Sequence, residues 1–220
     1  MYSLKLIIKI LRKIKLIMSQ KPTLAYWKIR GFAAGMQYLF KHLNVDYDFK
    51  AYESKFENGV VDNSEWLDEK FNLGMDFPNL PYIIDGDYKV SESSACYEYI
   101  CAKWKPEYLG RDVVERGKVA MMTGILYGDF RNAVVFSCYS GNVDRTPIVE
   151  KIDAKMPDIY KFLANNTFIV GNAVTWLDFA FYELIELMVF IKPDLYEVYP
   201  NLRQYSQNVA NLPGLKEYLK

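Results

Sequence analysis

Three separated stretches hold residue types that can do chemistry together. The first is Tyr26-Trp27-Lys28-Ile29-Arg30-Gly31, where an apolar run ends on a tyrosine and a glycine breaks it. The second is Asp76-Phe77-Pro78-Asn79-Leu80-Pro81-Tyr82, and the third is Glu92-Ser93-Ser94-Ala95. A strand-end tyrosine presents a hydroxyl. An X-Pro bond can be cis at small cost and then turns the backbone sharply. A Glu-Ser pair opening a helix offers free amides and a hydroxyl, a natural seat for a carboxylate. In this order they can surround one small peptide.

The elements that must position these residues are legible from periodicity. Residues 22–29 read as a strand and 32–43 as a helix, with apolar residues at 32, 36, 39, 40 and 43. Residues 45–52 alternate as a second strand. The polar stretch 54–73 reads as a loop holding a helix near 64–71. Residues 80–84 form a strand after a proline, Asp85-Gly86-Asp87 is a hairpin turn, and residues 88–90 return. Ser91 caps a helix running to about Lys103. The order β-α-β-α-β-β-α is a thioredoxin-like pattern. Residues 105–111, with Pro106 and Gly110, are the natural linker. Beyond it only helical periodicity remains, over 112–140, 147–165, 175–191 and 202–219. Thr175-Trp176-Leu177-Asp178 is a capping box with Asp in place of the usual Glu or Gln.

The constellation and its order resemble the cytosolic glutathione transferases, most closely the mu class, over about residues 21–220. The resemblance implies a thioredoxin-like glutathione-binding domain at 21–104 with a mixed four-stranded sheet and an all-helical domain at 112–220. It also implies the reaction: the glutathione thiolate attacks a hydrophobic electrophile, with glutathione as co-substrate and no other cofactor. A free thiol of pKa about 8.5 is mostly protonated at neutral pH. A hydroxyl donating to the sulfur favours the thiolate by roughly 1.5–3 kcal/mol, or about one to two pKa units. The resemblance gives that role to Tyr26.

It carries over other residues as well. Trp27 belongs to the glutathione side. Leu80, before Pro81, pairs with the cysteinyl backbone as an added strand would, and Asn79 sits beside it. Glu92 and Ser93 take the γ-glutamyl end. Trp66 and Lys70, at i and i+4 on one helix face, meet the glycyl end. Asn63 stands where relatives carry Arg, which implies a weaker grip on glutathione by about 1 kcal/mol. Asp129, placed in the first long helix of the second domain, reaches the γ-glutamyl amine across a dimer interface. Ile29, Phe32 and Tyr139 line the electrophile pocket. Phe77 is the aromatic key of a homodimer. Lys28 departs from the Asp of the mu pattern. Mu enzymes continue beyond the position of Lys220 with a segment that covers the electrophile site, so a more open pocket is expected here.

Composition sets further bounds. Of 220 residues, 51% are hydrophobic and 25% charged, ordinary for a globular protein. Basic and acidic residues balance at 27 each, yet residues 1–20 hold five basic residues and no acid. The mildly acidic remainder has no electrostatic reason to bind nucleic acid. Three cysteines, none in a C-x-x-C pair, fit a reducing compartment. His42 is the only histidine. A His-dependent triad or multi-His zinc site is thereby set aside, no metal site is expected, and His42 reads as a helix surface residue. Residues 1–20 are too charged to span a membrane. They fit a mitochondrial presequence, a membrane-surface anchor, or an upstream extension before a start at Met18. The expected location is cytoplasmic, or mitochondrial if the presequence is genuine. A non-catalytic ligand carrier or structural subunit on the same fold is the second reading, and isomerase or peroxidase chemistry is a variant of the first.

Overall fold

The computed structural model describes residues 21–57, 60–141, 143–164 and 166–220. The basic extension lies outside the described residues. Contacts divide the chain into two units. One, the sheet unit, comprises residues 21–29 and 46–93. The other, the helical unit, comprises Arg30–Val45 and Ser94–Lys220.

The sheet unit is built on β1 (Thr23–Trp27), β2 (Asp48–Tyr52), β5 (Tyr82–Asp85) and β6 (Tyr88–Ser91). They form one mixed sheet in the order β2-β1-β5-β6, the four-stranded arrangement expected. β1 runs parallel to β2 and antiparallel to β5, and β5 is antiparallel to β6. Leu24, Ala25, Tyr52, Tyr82 and Ile83 are buried. Between β2 and the helix α2 (Ser64–Lys70) lies a second small hairpin, β3 (Lys55–Glu57) with β4 (Val60–Asp62). The sequence reads as loop there. Ser91 does not cap the following helix: it ends β6, and its hydroxyl donates to the Phe77 carbonyl.

The helical unit contains α1 (Ala34–His42), α3 (Ser93–Trp104, from its second residue), a 3₁₀ turn at Pro106–Leu109, α4 (Val113–Leu126), α5 (Asp129–Tyr139), α6 (Thr146–Leu163), α7 (Trp176–Ile191), α8 (Leu195–Val198), α9 (Pro200–Ala210) and α10 (Leu215–Tyr218). α7 is its axis, apolar nearly all round and buried along most of its length, as a central helix must be. α1, α4, α5 and α9 pack against it. Gly35 permits the close approach of α1: a Cβ there would lie 2.8 Å from the Phe179 carbonyl oxygen and 2.1 Å from the Tyr97 hydroxyl. The periodicity of 112–140 is one run in sequence but two helices in space. Gly128, at φ 77°, breaks it, because that conformation is open to glycine and strained for other residues. The run 202–219 likewise divides into α9 and α10.

The capping box at the head of α7 forms as expected, with Asp178 fully buried. Asp178 Oδ2 accepts from the Thr175 amide at 2.7 Å and its hydroxyl at 3.0 Å. Asp178 Oδ1 accepts from the Ile169 amide at 2.8 Å and the Tyr205 hydroxyl at 2.9 Å. His42 is half-buried and held by both ring nitrogens, not a free helix-surface residue. Its Nδ1 lies 2.9 Å from the Pro213 carbonyl and its Nε2 2.8 Å from the Tyr108 hydroxyl, with the ring stacked on Tyr108. It ties the end of α1 to the 3₁₀ turn and to the segment before α10. Among the described residues no helix is long and apolar enough to cross a membrane.

Candidate active site

Strand register gathers the three sequence motifs at one end of the sheet. Ala25 pairs with Tyr82, so Tyr26 and Pro81 sit at the same end of adjacent strands. Tyr82 pairs with Ser91, which brings Glu92 to that end as well. Trp27 pairs with Tyr52 on the other flank of β1. Tyr26 is 4% exposed, and Trp27 is half-buried.

The Leu80–Pro81 peptide is cis. Leu80 is 8% exposed, and its N–H donates to Asn79 Oδ1 at 2.9 Å. The other end of the Asn79 amide donates to Glu92 Oε1 at 2.9 Å. Asn79 thus links the cis turn to the head of α3. Glu92 is exposed and has φ 71°, a left-handed conformation that costs a non-glycine residue about 1 kcal/mol or more. It aims the chain so that Ser93, 7% exposed, opens α3. Backbone strain of this kind concentrates where ligands are held.

Trp66 is 5% exposed, stacked on Tyr82 at 6.1 Å and edge-on to Tyr52 at 5.3 Å. The two tyrosine hydroxyls lie 2.9 Å apart, and that of Tyr52 donates to Glu69 Oε2 at 2.7 Å, where Lys50 also pairs. Lys50 and Tyr52 hold the Glu69 carboxyl below the ordinary range. Burial is the main reason that the Tyr52 hydroxyl is held well above the ordinary tyrosine range. These four residues fix α2 on the sheet, and the sequence reading missed them. The signal was the aromatic at the inward end of β2. Lys70, half-buried, has Nζ 5.3 Å from the Phe71 ring. Asn63 immediately precedes α2 without capping it, and its Oδ1 is buried with no hydrogen-bond donor. Lys28 pairs with Glu53 at 2.5 Å. Phe77 is 80% exposed.

In the helical unit, Tyr139 ends α5, 40% exposed, and its hydroxyl accepts from the Gly31 amide at 3.2 Å. Burial raises its pKa above the ordinary value, with the Gly31 amide acting in the opposite direction, so the hydroxyl stays protonated and can donate. Phe32 is half-buried, with the Arg131 guanidinium 4.1 Å from its ring centre and 3.7 Å from that of Tyr127. Asp129 does not lie within the first long helix: it is the first residue of α5, after the Gly128 break. Ile29, half-buried, closes the sheet unit's first segment, its amide donating to Trp27 O at 2.7 Å. Among the described residues no group of three or more His, Cys, Asp or Glu is placed to hold a metal ion.

A tyrosine near a strand end, a cis-proline turn and a strained acidic residue before a helix thus lie at one end of the sheet. The family comparisons give the chain a family. The N-terminal domain model of glutathione S-transferase matches residues 22–102 and the C-terminal domain model residues 128–220. A glutathione S-transferase of Tyrophagus putrescentiae is 34% identical over 211 residues, covering 92% of this chain and 91% of the relative. Glutathione S-transferase Mu 4 of Rattus norvegicus is 31% identical over 206 residues, 90% of each. The crystal structure of glutathione S-transferase Blo t 8 superposes with a TM-score of 0.75 at 28% identity, covering 90% of this chain and 91% of that one. The chain belongs to the glutathione S-transferase family, with its thioredoxin-like N-terminal and helical C-terminal domains.

Proposed function

We propose that the protein is a mu-type glutathione transferase that conjugates the glutathione thiol to hydrophobic electrophiles. The observation that carries this is the meeting of Tyr26, cis Pro81 and left-handed Glu92 at one sheet end. The thiol gives its proton to solvent while the Tyr26 hydroxyl donates to the sulfur. The thiolate then forms a C–S bond at the electrophilic carbon, which releases a leaving group or takes up negative charge. Tyr139 donates to that charge, and Ile29 and Phe32 supply apolar wall. Glutathione lies along β5, competing with Asn79 for the Leu80 amide. Its γ-glutamyl end meets Glu92 and Ser93, with Asp129 of a second copy at the amine. Its glycyl end meets Trp66 and Lys70, with Trp27 and Asn63 on that flank. No other cofactor enters the step.

The exposed Phe77 supports a homodimer, since a large apolar side chain on a loop is a ready contact. The linker at 105–111 falls in the stretch between the two matched ranges, 22–102 and 128–220. Three cysteines with no C-x-x-C pair among them fit a cytoplasmic protein.

Titration of bound glutathione by thiolate absorbance tests the reading. Wild type should ionise the thiol about one to two units below its free value, and Tyr26→Phe should abolish that shift. Binding without a shift would remove Tyr26 from the mechanism. No binding would leave the carrier or structural-subunit reading.

A further inference from the structure

Glu183 sits mid-way along α7, the apolar axis of the helical unit, and is 3% exposed. A carboxylate placed there needs a partner. Its Oε2 accepts from Arg30 Nη2 at 2.6 Å and from the Tyr38 hydroxyl at 2.7 Å, and Arg30 Nη2 lies 3.2 Å from that same hydroxyl. Its Oε1 is buried with no hydrogen-bond donor from the protein. Glu183 borders a cavity of about 10 Å³, shared with Phe32, Tyr97, Arg131 and Leu184. Burial raises the carboxyl pKa, and Arg30 and Tyr38 oppose that rise.

A buried carboxylate with one oxygen unmet is a poor device for stability, since an apolar side chain of similar volume often does as well. It is a good device for fixing geometry, because two short charge-assisted bonds allow little play. What it fixes is Arg30. The next residue, Gly31, holds the Tyr139 hydroxyl through its amide, and Phe32 packs under Arg131.

We propose that Glu183 is a positioning residue for the electrophile side of the reaction: it clamps the Arg30–Phe32 turn, and that turn holds the Tyr139 hydroxyl. The proposal rests on the transferase reading above. Glu183 touches no reacting atom and acts through Arg30.

The test compares wild type, Glu183→Gln and Tyr38→Phe. The Gln variant keeps the shape and loses the charge. It should lower kcat and raise KM for an apolar electrophile by about tenfold in combined efficiency, with KM for glutathione unchanged. Hydrogen exchange at the Gly31 amide should quicken by about tenfold. Tyr38→Phe leaves the Arg30 contact in place and should show the same pattern, reduced to about threefold. It decides the matter if the Gln variant does not fold. Folded variants with wild-type Gly31 exchange and electrophile kinetics overturn the proposal. A loss shared equally by glutathione KM also overturns it, because that is general loosening. A wild type that conjugates no electrophile overturns the transferase reading itself, whereas an active wild type with unaffected variants overturns this inference alone.

Discussion

The two units handle polar groups in opposite ways. The sheet unit keeps its chemistry at strand ends and shapes it with backbone: a cis peptide at Leu80–Pro81, φ 71° at Glu92, an exposed Asn79 joining the two. The helical unit sinks whole carboxylates into its core. Asp178 is fully buried under four donors, and Glu183 is buried against Arg30 and Tyr38. Groups left at a rim can meet a ligand, and the strained backbone at Glu92 is the local cost. A scaffold that must hold long helices in register uses buried charge, which is costly to disturb. Stability should therefore be concentrated at Asp178, both of whose oxygens are met, while Glu183 fixes geometry and the sheet-end groups contribute little to stability.

The largest effect expected from that contrast is at Asp178. Asp178→Ala strands the Ile169 amide, the Thr175 amide and hydroxyl and the Tyr205 hydroxyl in a dry core. Unfolding by denaturant should show a loss of about 3–5 kcal/mol. A loss below about 1 kcal/mol would mean that water reaches the site and the contrast fails. The same residue predicts a pH dependence. Burial pushes its carboxyl up to about 6, although the Ile169 and Thr175 amides and the Tyr205 and Thr175 hydroxyls pull it down. The folded protein then holds this proton more tightly than the unfolded chain, so this group's contribution to stability falls as pH rises from about 4 to 6 and is flat above that. Asp178→Asn should remove that slope.

A smaller effect of opposite sign is expected at Glu92. Glycine adopts φ 71° freely, so Glu92→Gly should relieve about 1 kcal/mol of strain. The loss of the Asn79 bond to an exposed carboxylate offsets part of this. The variant should melt at or above the wild-type temperature while binding glutathione more weakly by calorimetry. A Glu92→Gly protein that is clearly less stable would show that this residue is scaffold and not site.

Much of this contrast was legible in the sequence, and unevenly so. The sheet, its hairpin at Asp85-Gly86-Asp87 and the head of α7 announce themselves through local signals: alternation, turn residues, a capping box. The β3–β4 hairpin does not, because Phe56, Val60 and Val61 are too few among charged neighbours to show a period. The break at Gly128 hides inside a helical rhythm that continues on both sides of it. The Glu183–Arg30 pair joins positions 153 apart in the chain, beyond the reach of any local pattern. Its one visible sign was an acid among apolar residues of α7. Of the candidate site, Tyr26 was readable beside the Gly31 break, and Leu80-Pro81 and Glu92 because a proline turn and a helix start mark the chain there. Asn79's two hydrogen bonds, one accepted from the Leu80 amide and one donated to Glu92, needed the fold.

His42 carries the smallest and most diagnostic expectation. It read as a surface residue, since a lone histidine near a helix end has no sequence partner. Its partners, Tyr108 and Pro213, lie 66 and 171 positions away. Burial lowers its pKa, with a further push from Lys105 and a contrary pull from the Pro213 carbonyl. The folded state therefore binds this proton less tightly than the unfolded chain. The stabilisation is present above the unfolded value of about 6.5 and is lost as pH falls from there through the lower folded value. Asp178 works the other way over part of the same range, so wild type alone shows only their sum. Denaturation curves for His42→Gln at several pH values separate them: the acid-side loss should shrink while the Asp178 slope remains. An unchanged acid limb would place His42 in water in both states. The tie between α1, the 3₁₀ turn and the segment before α10 would then be ordinary packing, and Asp178 alone would set the helical unit's response to pH.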